Sequence, residues 1–411
     1  MAIGSEGRNA DEVLAELESF KANDVRWKQG RAFTLTYSAG GEAARVAERA
    51  YASYLSENGL NTEAFPSLRR LQSEVVDTVS SWLHGGTEAA GFMTSGGTES
   101  LLLAVRAARE RGRIERGITQ PEMVLPTSAH AAFEKAADYF GVRCVRVPVM
   151  TDWRADVEAT QDAINDRTVL VVGSAPQYPQ GVIDPIVALA TVAQVHGILF
   201  HVDACMGGVV LPFLERLGEP IAPWDFRVPG VTSISVDLHK FGYTAKGASV
   251  LLHRSKKLRS YQTFVTDNWL GGVYGSSGIM GTKSGGAMAA AWAVMQHLGE
   301  DGYLDLTRRA RIATLELAAA LRARPQIELR AEPETTLVSF GASAGLDIYA
   351  VADHLWSRGW YLDRQGPPPS LHCTVNAVHE GRIPAFIDDL DEAIASVGNK
   401  HGQAGAYGTI E

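Results

Sequence analysis

The residues best placed for chemistry lie between Ser233 and Gly247, in the stretch SISVDLHKFGYTAKG. Ser233 to Val236 reads as a buried strand that runs directly into Asp237, His239 and Lys240, with no Gly or Pro to mark an ordinary turn. In open α/β sheets ligands bind beyond the carboxyl ends of the strands, so a lysine there faces the crevice that would hold a small molecule. A surface lysine on a connecting loop is the plainer reading of His239-Lys240 taken alone. An amine is a nucleophile only when deprotonated, and a desolvated pocket with cationic neighbours such as Lys246 and His239 is expected to lower the pKa of Lys240.

Two further features fit the same ligand. Asp203, in His201-Val202-Asp203-Ala204, ends the apolar run Ile198 to Val202. A buried carboxylate needs a partner, which a protonated ring nitrogen would supply, although a cap or an arginine would serve as well. Ser95-Gly96-Gly97-Thr98 opens a helix, where free backbone N–H groups, two hydroxyls and the helix dipole make a phosphate cradle, or simply an N-cap. Cradle, carboxylate and lysine together describe pyridoxal 5'-phosphate: the lysine forms an imine, the carboxylate keeps the pyridine nitrogen protonated, and the cradle holds the phosphate. His130, in Ser128-Ala129-His130-Ala131, follows another strand and is placed either to stack on the ring or to pack as a structural histidine.

The elements that must position these groups alternate in type. Short apolar runs at Met123 to Leu125, Cys144 to Val149, Val169 to Val172, Ile198 to Val202, Ile234 to Val236 and Val250 to Leu252 are mostly separated by helical stretches. This pattern implies a mostly parallel sheet covered by helices on both faces. Before them, Asn9 caps a helix with Val13, Leu14, Leu17 and Phe20 on one face, Tyr37 lies in the extended piece Gly30 to Gly41, and helices follow at Glu42 to Leu55 and Phe65 to Leu83. After Lys283-Ser284-Gly285-Gly286 comes a helix from Ala287 to Leu298, then shorter helices and strands such as Leu337 to Phe340 and Leu371 to Val375. The expected division is an N-terminal helical arm (1–60), a large cofactor-binding domain (61–286) and a small α+β C-terminal domain (287–411). By composition, the Gly- and Ala-rich tail from Gly402 to Glu411 reads as frayed.

Composition excludes several classes. The 411 residues carry a formal charge of −9 with no Lys/Arg-rich block, which argues against nucleic-acid binding. Cys144, Cys205 and Cys373 are widely spaced with no CxxC pair, which fits a reduced cytoplasmic protein without a zinc site, and no metal is expected. The N-terminus has acidic residues at helical spacing rather than a secretory pattern. The most apolar region, Ile186 to Val202, is interrupted by Gln194, His196 and His201 and is too short to span a membrane.

The chain resembles the sphingosine-1-phosphate lyase family, within the fold-type I pyridoxal phosphate enzymes and near the group II amino-acid decarboxylases. The similarity covers nearly the whole chain and is carried by TSGGTES (94–100), SAHAAFEKAADYFG (128–141), PQYPQGVIDP (176–185), HVDACMGG (201–208), FRVPGVTSISVDLHKFGYTAKG (226–247) and GAYG (405–408). The resemblance implies that Lys240 is the Schiff-base lysine, Asp203 pairs with the pyridinium nitrogen and His130 stacks on the ring. It further implies that Gly97, Thr98 and His239 bind the cofactor phosphate, with Ser276 contributed by the other subunit of a homodimer, and that Tyr37 and Lys246 act near the substrate. The match at Ala406-Tyr407-Gly408 suggests a tail folded over the site, against the reading from composition.

The implied reaction is cleavage of a phosphorylated amino alcohol to an aldehyde and phosphoethanolamine. It requires a base for the 3-hydroxyl, and Lys246, Tyr37 and Lys240 are all candidates. Two positions depart from the family pattern. Where a histidine is usual in N-x-L-H, this chain has Asn61, and where an arginine is usual before the glycine run it has Lys283. An amino-acid decarboxylase, an aldolase acting on β-hydroxy amino acids and a non-catalytic scaffold on the same fold are the alternatives.

Overall fold

The apolar runs become one seven-stranded sheet, made of β1 (Ala90–Thr94), β2 (Glu122–Pro126), β3 (Arg143–Val147), β4 (Thr168–Ser174), β5 (Leu199–Asp203), β6 (Ser233–Val236) and β7 (Ser249–His253) in the order β1-β7-β6-β5-β4-β2-β3. The computed structural model describes residues 4–343 and 345–408. Neighbours among β2 to β6 pair in parallel, whereas β7 runs antiparallel to both β6 and β1. Two reversals cancel, so β1 points the same way as β6, and the carboxyl ends of β1, β2, β4, β5 and β6 share one edge.

Helices on both faces bury every residue of β4, β5 and β6. The two serines of β6 are therefore not solvent-facing. His201 of β5 hydrogen-bonds both, through Nδ1 to Ser233 Oγ (2.9 Å) and Nε2 to Ser235 Oγ (3.2 Å), which satisfies three polar groups that would each be costly if left unpaired. The helix Pro66–Trp82 turns Leu68, Leu71, Val75, Val76 and Val79 inward, as its spacing predicts.

Beyond β7, an antiparallel hairpin of β8 (Phe264–Thr266) and β9 (Tyr274–Ser276) leads to the helical run Gly286–Arg322. The expected stop at Leu298 is met: Gly299, at φ 57° and ψ −175°, leaves the helical conformation, and a second helix carries the run on to Arg322. The first half of the run packs into the core of the main sheet and its second half into a separate core. That second core lies under the antiparallel sheet of β10 (Ile327–Leu329), β11 (Leu337–Ala342), β12 (Asp363–Gln365) and β13 (Ser370–Thr374).

Phe33, in the extended N-terminal piece, is fully buried in this second core and stacks on His379 with ring centroids 4.3 Å apart. Burying such a ring contributes about 1.5–3 kcal/mol. It pins the segment carrying Thr34, Leu35 and Tyr37 beside the main sheet's carboxyl edge.

Asn9 caps the helix Ala10–Ser19 as expected, accepting from the amides of Asp11 and Glu12, but Val13, Leu14, Leu17 and Phe20 stay exposed. The expectation of a frayed tail is corrected for residues 402–408. Gly402 N donates to Asp347 and Arg364 donates to Gln403 O, so the tail is tied to the C-terminal part at two points. Thr409, Ile410 and Glu411 lie outside the described residues.

Candidate active site

The turn after β6 places a buried carboxylate where it governs the lysine. Lys240 Nζ lies 2.9 Å from Asp237 Oδ2, and the other oxygen, Oδ1, accepts from Ser249 Oγ at the start of β7 (2.5 Å). Burial disfavours charge on both partners, but the ion pair outweighs it. Asp237 is held below its usual range by Lys240, His239 and Ser249, and Lys240 is raised well above its ordinary value by Asp237, with Cys205 and Tyr37 helping. The expectation that Lys246 and His239 depress Lys240 is thus corrected: at 2.9 Å an anion dominates more distant cations. Sequence reasoning named Asp237 as a charge at this buried strand end, three residues before the lysine, but gave it no role in setting the lysine's charge.

The cradle forms at the start of the helix Gly97–Arg116. Its N-cap is Gly96, with no side-chain cap, and the hydroxyl of Ser95 is taken by Glu99 Oε2 (2.7 Å). The plain N-cap reading therefore fails, and the amides of Gly97 and Thr98 have no partner among the described residues. A Cβ on Gly97 would sit 2.8 Å from Asp237 Oδ2 and 2.9 Å from Cys205 Sγ, so only glycine fits there. At Gly96 a Cβ would be 3.6 Å from His239 Cε1, which sets His239 beside the same helix start. These groups suit a phosphate: free amides, the positive end of a helix dipole and an imidazole. Burial lowers the His239 pKa, and Asp237 opposes the shift.

Asp203, 7% exposed at the end of β5, accepts from Cys205 N (3.0 Å) and Ser235 Oγ (3.4 Å) through Oδ1. No partner for Oδ2 is found among the described residues. A buried carboxylate oxygen left open in this way is what a protonated ring nitrogen would complete. His130 Nδ1 accepts from Ala132 N (3.0 Å) and its Nε2 faces the Tyr407 hydroxyl at 3.3 Å, so the tail reaches the site. Burial lowers the His130 pKa, Asp203 opposes the shift and Lys240 adds to it.

Lys246 closes the other side. Its Nζ donates to Leu35 O (2.7 Å) and His239 O (3.2 Å) and lies 5.0 Å from the centre of the Tyr37 ring. Desolvation draws its pKa down to about 8, with Lys240 assisting and Asp237 opposing. Tyr37 packs edge-on against Phe241 (5.1 Å), and burial raises its pKa, keeping the phenol protonated. Leu35 and Tyr243, at φ 65° and 56°, hold the left-handed conformation that side-chain-bearing residues seldom adopt. Such strain tends to collect at functional sites.

Ser276, at the end of β9, donates to Gly278 O (3.1 Å) and touches none of the groups above within its own chain. The two departures from the family pattern are neighbours. Asn58 bridges Ser284, and Gly59 N donates to Lys283 O (2.8 Å). Asn61 spends its side-chain oxygen on the amide of Glu63 (2.8 Å). Lys283 lies 4.0 Å over the Phe92 ring, its pKa drawn down to about 8 by burial, with Glu99 opposing and Arg259 assisting. A second polar cluster that sequence reasoning did not identify joins Thr34, Tyr178 and Asp363. Tyr178 and Thr34 both donate to Asp363 Oδ2, the latter at 2.9 Å. Among the described residues no group of three His, Cys, Asp or Glu is placed to hold a metal, and no helix is long and apolar enough to cross a membrane.

Residues 3–343 match the family described as "Pyridoxal-dependent decarboxylase conserved domain". The chain is 42% identical over 394 residues to a sphingosine-1-phosphate lyase of Arabidopsis thaliana, spanning 94% of this chain and 72% of that protein. It is 40% identical over 398 residues to sphingosine-1-phosphate lyase 1 of Rattus norvegicus, spanning 96% and 70%. Among solved structures, a sphingosine-1-phosphate lyase of Burkholderia pseudomallei superposes with a TM-score of 0.92 at 39% identity, covering 97% of this chain and 93% of that one. A glutamate decarboxylase of Lactobacillus brevis superposes at 0.85 with 21% identity, a likeness of fold alone. The expected fold-type I architecture and pyridoxal 5'-phosphate as cofactor are both borne out. The chain belongs to the sphingosine-1-phosphate lyase family of pyridoxal phosphate enzymes.

Proposed function

We propose that this protein is a pyridoxal phosphate-dependent aldehyde-lyase that breaks the C2–C3 bond of a phosphorylated 2-amino-3-hydroxy long-chain base, giving an aldehyde and phosphoethanolamine. One observation carries the reading. An anion-paired lysine, Lys240, and a second lysine with a pKa near 8, Lys246, face one crevice in a chain 42% identical to a curated lyase. The glutamate decarboxylase of Lactobacillus brevis, at 21% identity, is a likeness of fold alone.

In this reading Lys240 is the covalent anchor for the cofactor, Asp203 Oδ2 pairs with its ring nitrogen and His130 stacks against the ring. Gly97, Thr98 and His239 hold its phosphate. When bound, the cofactor supplies the electron sink for the carbon that loses its bond. Lys246 is the base. With a pKa near 8, roughly a quarter of it is neutral at pH 7.5, against roughly a thousandth for an ordinary lysine. A neutral amine has two N–H groups, which the carbonyls of Leu35 and His239 occupy, and one lone pair left to take the proton of the 3-hydroxyl. As that proton moves to Nζ, the O–H electron pair forms the second bond between the oxygen and C3, giving the aldehyde, and the C2–C3 bond breaks with its electron pair left on C2. A proton returned to C2 completes phosphoethanolamine. Tyr37, protonated by burial, steadies the lysine through its ring face.

The same reading makes the protein a cytoplasmic homodimer with active sites at the subunit interface. Phe264, Val265, Trp269, Leu270 and Val273 on the β8–β9 hairpin are exposed, as are Val13, Leu14, Leu17 and Phe20. Apolar surface left exposed in this way suits a partner, and on this reading Ser276, which ends that hairpin, completes the phosphate site of a second copy. The three cysteines are unpaired, as a reducing compartment requires. Incubation with a phosphorylated long-chain base should release aldehyde, whereas aromatic and acidic amino acids should release no CO₂. Release of CO₂ without aldehyde would replace the lyase with a decarboxylase.

A further inference from the structure

Lys246 owes its orientation to a strained turn outside the catalytic groups. Thr36 N donates to Thr34 O at 2.8 Å, closing a three-residue turn with Leu35, at φ 65°, in its centre. With a positive φ this is the rare and strained form of the γ-turn. The Leu35 side chain is 59% exposed, so its own burial does not offset the strain. What the turn achieves is the presentation of one group: the Leu35 carbonyl accepts from Lys246 Nζ at 2.7 Å.

Both sides of the turn are clamped by the C-terminal part of the chain. Thr34 is buried and donates through Oγ1 to Asp363 Oδ2 on β12 (2.9 Å), and the Tyr178 hydroxyl donates to the same oxygen. Asn376, fully buried just beyond β13, donates through Nδ2 to Thr36 O (3.3 Å) and accepts through Oδ1 from Ser38 N (3.4 Å). Its own amide donates to Nδ1 of His379 (3.0 Å), the ring that stacks on Phe33. Backbone strain persists only where the surroundings over-determine it, and here Asp363 and Asn376 do so from either side.

We propose that Thr34 is a positioning residue for the reaction: held by Asp363, it keeps the Leu35 carbonyl against Lys246 Nζ and so aims the lone pair of that amine at the substrate's 3-hydroxyl. A neutral amine has two N–H groups, and fixing both on carbonyls leaves a single direction for the lone pair. With only His239 O remaining, at 3.2 Å, the amine turns freely, and water replaces the lost acceptor and relieves the desolvation. The role of Lys246 as base rests on the lyase reading, whereas the clamp on its amine stands apart from it. The titratable groups around Lys246 are Lys240, Asp237, His239 and Tyr37, and substitutions in the turn leave all four intact.

Thr34→Val keeps the shape of the side chain and removes the hydroxyl. In the cofactor-loaded protein, kcat on a phosphorylated long-chain base should fall about tenfold or more with KM within about twofold, because orientation acts on the transition state. The rise of kcat/KM with pH, centred at about 8 in the unmodified protein, should move up by about one unit. Thr34→Ser restores the hydroxyl and should recover most of both losses. A second readout needs no turnover. Acetic anhydride labels neutral amines, so the pH dependence of Lys246 acetylation, followed by mass spectrometry, should move up in Thr34→Val and return in Thr34→Ser. Circular dichroism and the thermal midpoint show whether Thr34→Val folds. If it does not, Leu35→Pro decides the matter: that side chain is exposed and its N–H has no partner among the described residues. Proline sets φ near about −65° and turns the carbonyl away from Lys246. A folded variant whose acetylation profile stays in place would overturn the assignment. Absence of aldehyde from any substrate, with an acetylation profile that shifts in Thr34→Val and returns in Thr34→Ser, would remove the lyase reading and leave the clamp standing.

Discussion

Asp237 Oδ2 stands 2.9 Å from Lys240 Nζ, so without cofactor the lysine is held as an ammonium ion and not as a ready nucleophile. The pair also joins the two ends of the site. The same carboxylate would touch any Cβ placed on Gly97, at the start of the phosphate cradle.

Removing that charge should speed cofactor capture at low pH. In Asp237→Asn, burial dominates the lysine and its pKa falls, so the rate at which cofactor binding generates visible absorbance should reach half its maximum about one pH unit or more lower. Stability should respond as well. The folded-state pKa of Asp237 is depressed below 3.8, so its contribution is present above that pH and lost as pH falls through the folded value. Lys240 is raised above 10.5, so its contribution is present below that pH and lost as pH rises through the folded value. Urea unfolding of the cofactor-free protein should show both flanks, and Asp237→Asn should flatten them.

Lys246→Met should lower kcat by about 10²- to 10⁴-fold while cofactor absorbance is retained. In the unmodified protein kcat/KM should rise with pH through about 8 as Lys246 becomes neutral. That limb should disappear from the residual activity of the variant. A pH profile that keeps its shape would move the base to another residue.

Asp203→Asn should cost about a hundredfold in kcat. A hydrogen bond between charged groups is worth about 1.5–3 kcal/mol, roughly ten- to a hundredfold in rate. Cofactor release on dialysis should quicken in parallel, and Asp203→Glu should recover part of both losses.

Gly97→Ala tests the cradle by shape alone. Its methyl group would crowd Asp237 Oδ2 at 2.8 Å and Cys205 Sγ at 2.9 Å. Such overpacking should destabilise the fold by about 1–3 kcal/mol. Equilibrium titration should show cofactor affinity reduced about tenfold or more through the accompanying shift of the cradle.

Tyr407→Phe removes the hydroxyl that faces His130 at 3.3 Å. A net loss of about 0.5–1.5 kcal/mol corresponds to roughly two- to tenfold in KM, with kcat nearly unchanged. An unaltered KM would mean that the tail rests on the site without closing it.

Much of this site was legible in the sequence because its chemistry sits within four residues of strand ends. Apolar runs bounded by Asp203 and by Asp237 to Lys240 announce both the strand and its functional edge. What escaped were relationships made by the sheet order. Asp237 and Lys240 lie only three residues apart, but the burial of the pair and the partner for the other oxygen depend on β7 returning to deliver Ser249. The polar cluster of Thr34, Tyr178 and Asp363 joins three distant parts of the chain, and no periodicity reports it. The tail was misread by composition for a similar reason. Glycine and alanine predict a loose end, but Gln403 and Tyr407 are anchored by Arg364 and His130, which lie far away in sequence.

The bridge between Asn58 and Ser284 gives the two family departures a common fate. Asn61 and Lys283 sit on strands of backbone clasped together by Gly59, whose missing side chain leaves room for the stem of Lys283; a Cβ there would lie 3.0 Å from Lys283 Cγ. A change at either position therefore acts on one shared piece of backbone. Grafting the usual histidine onto position 61 alone would restore a residue type but not the recognition surface to which it belongs.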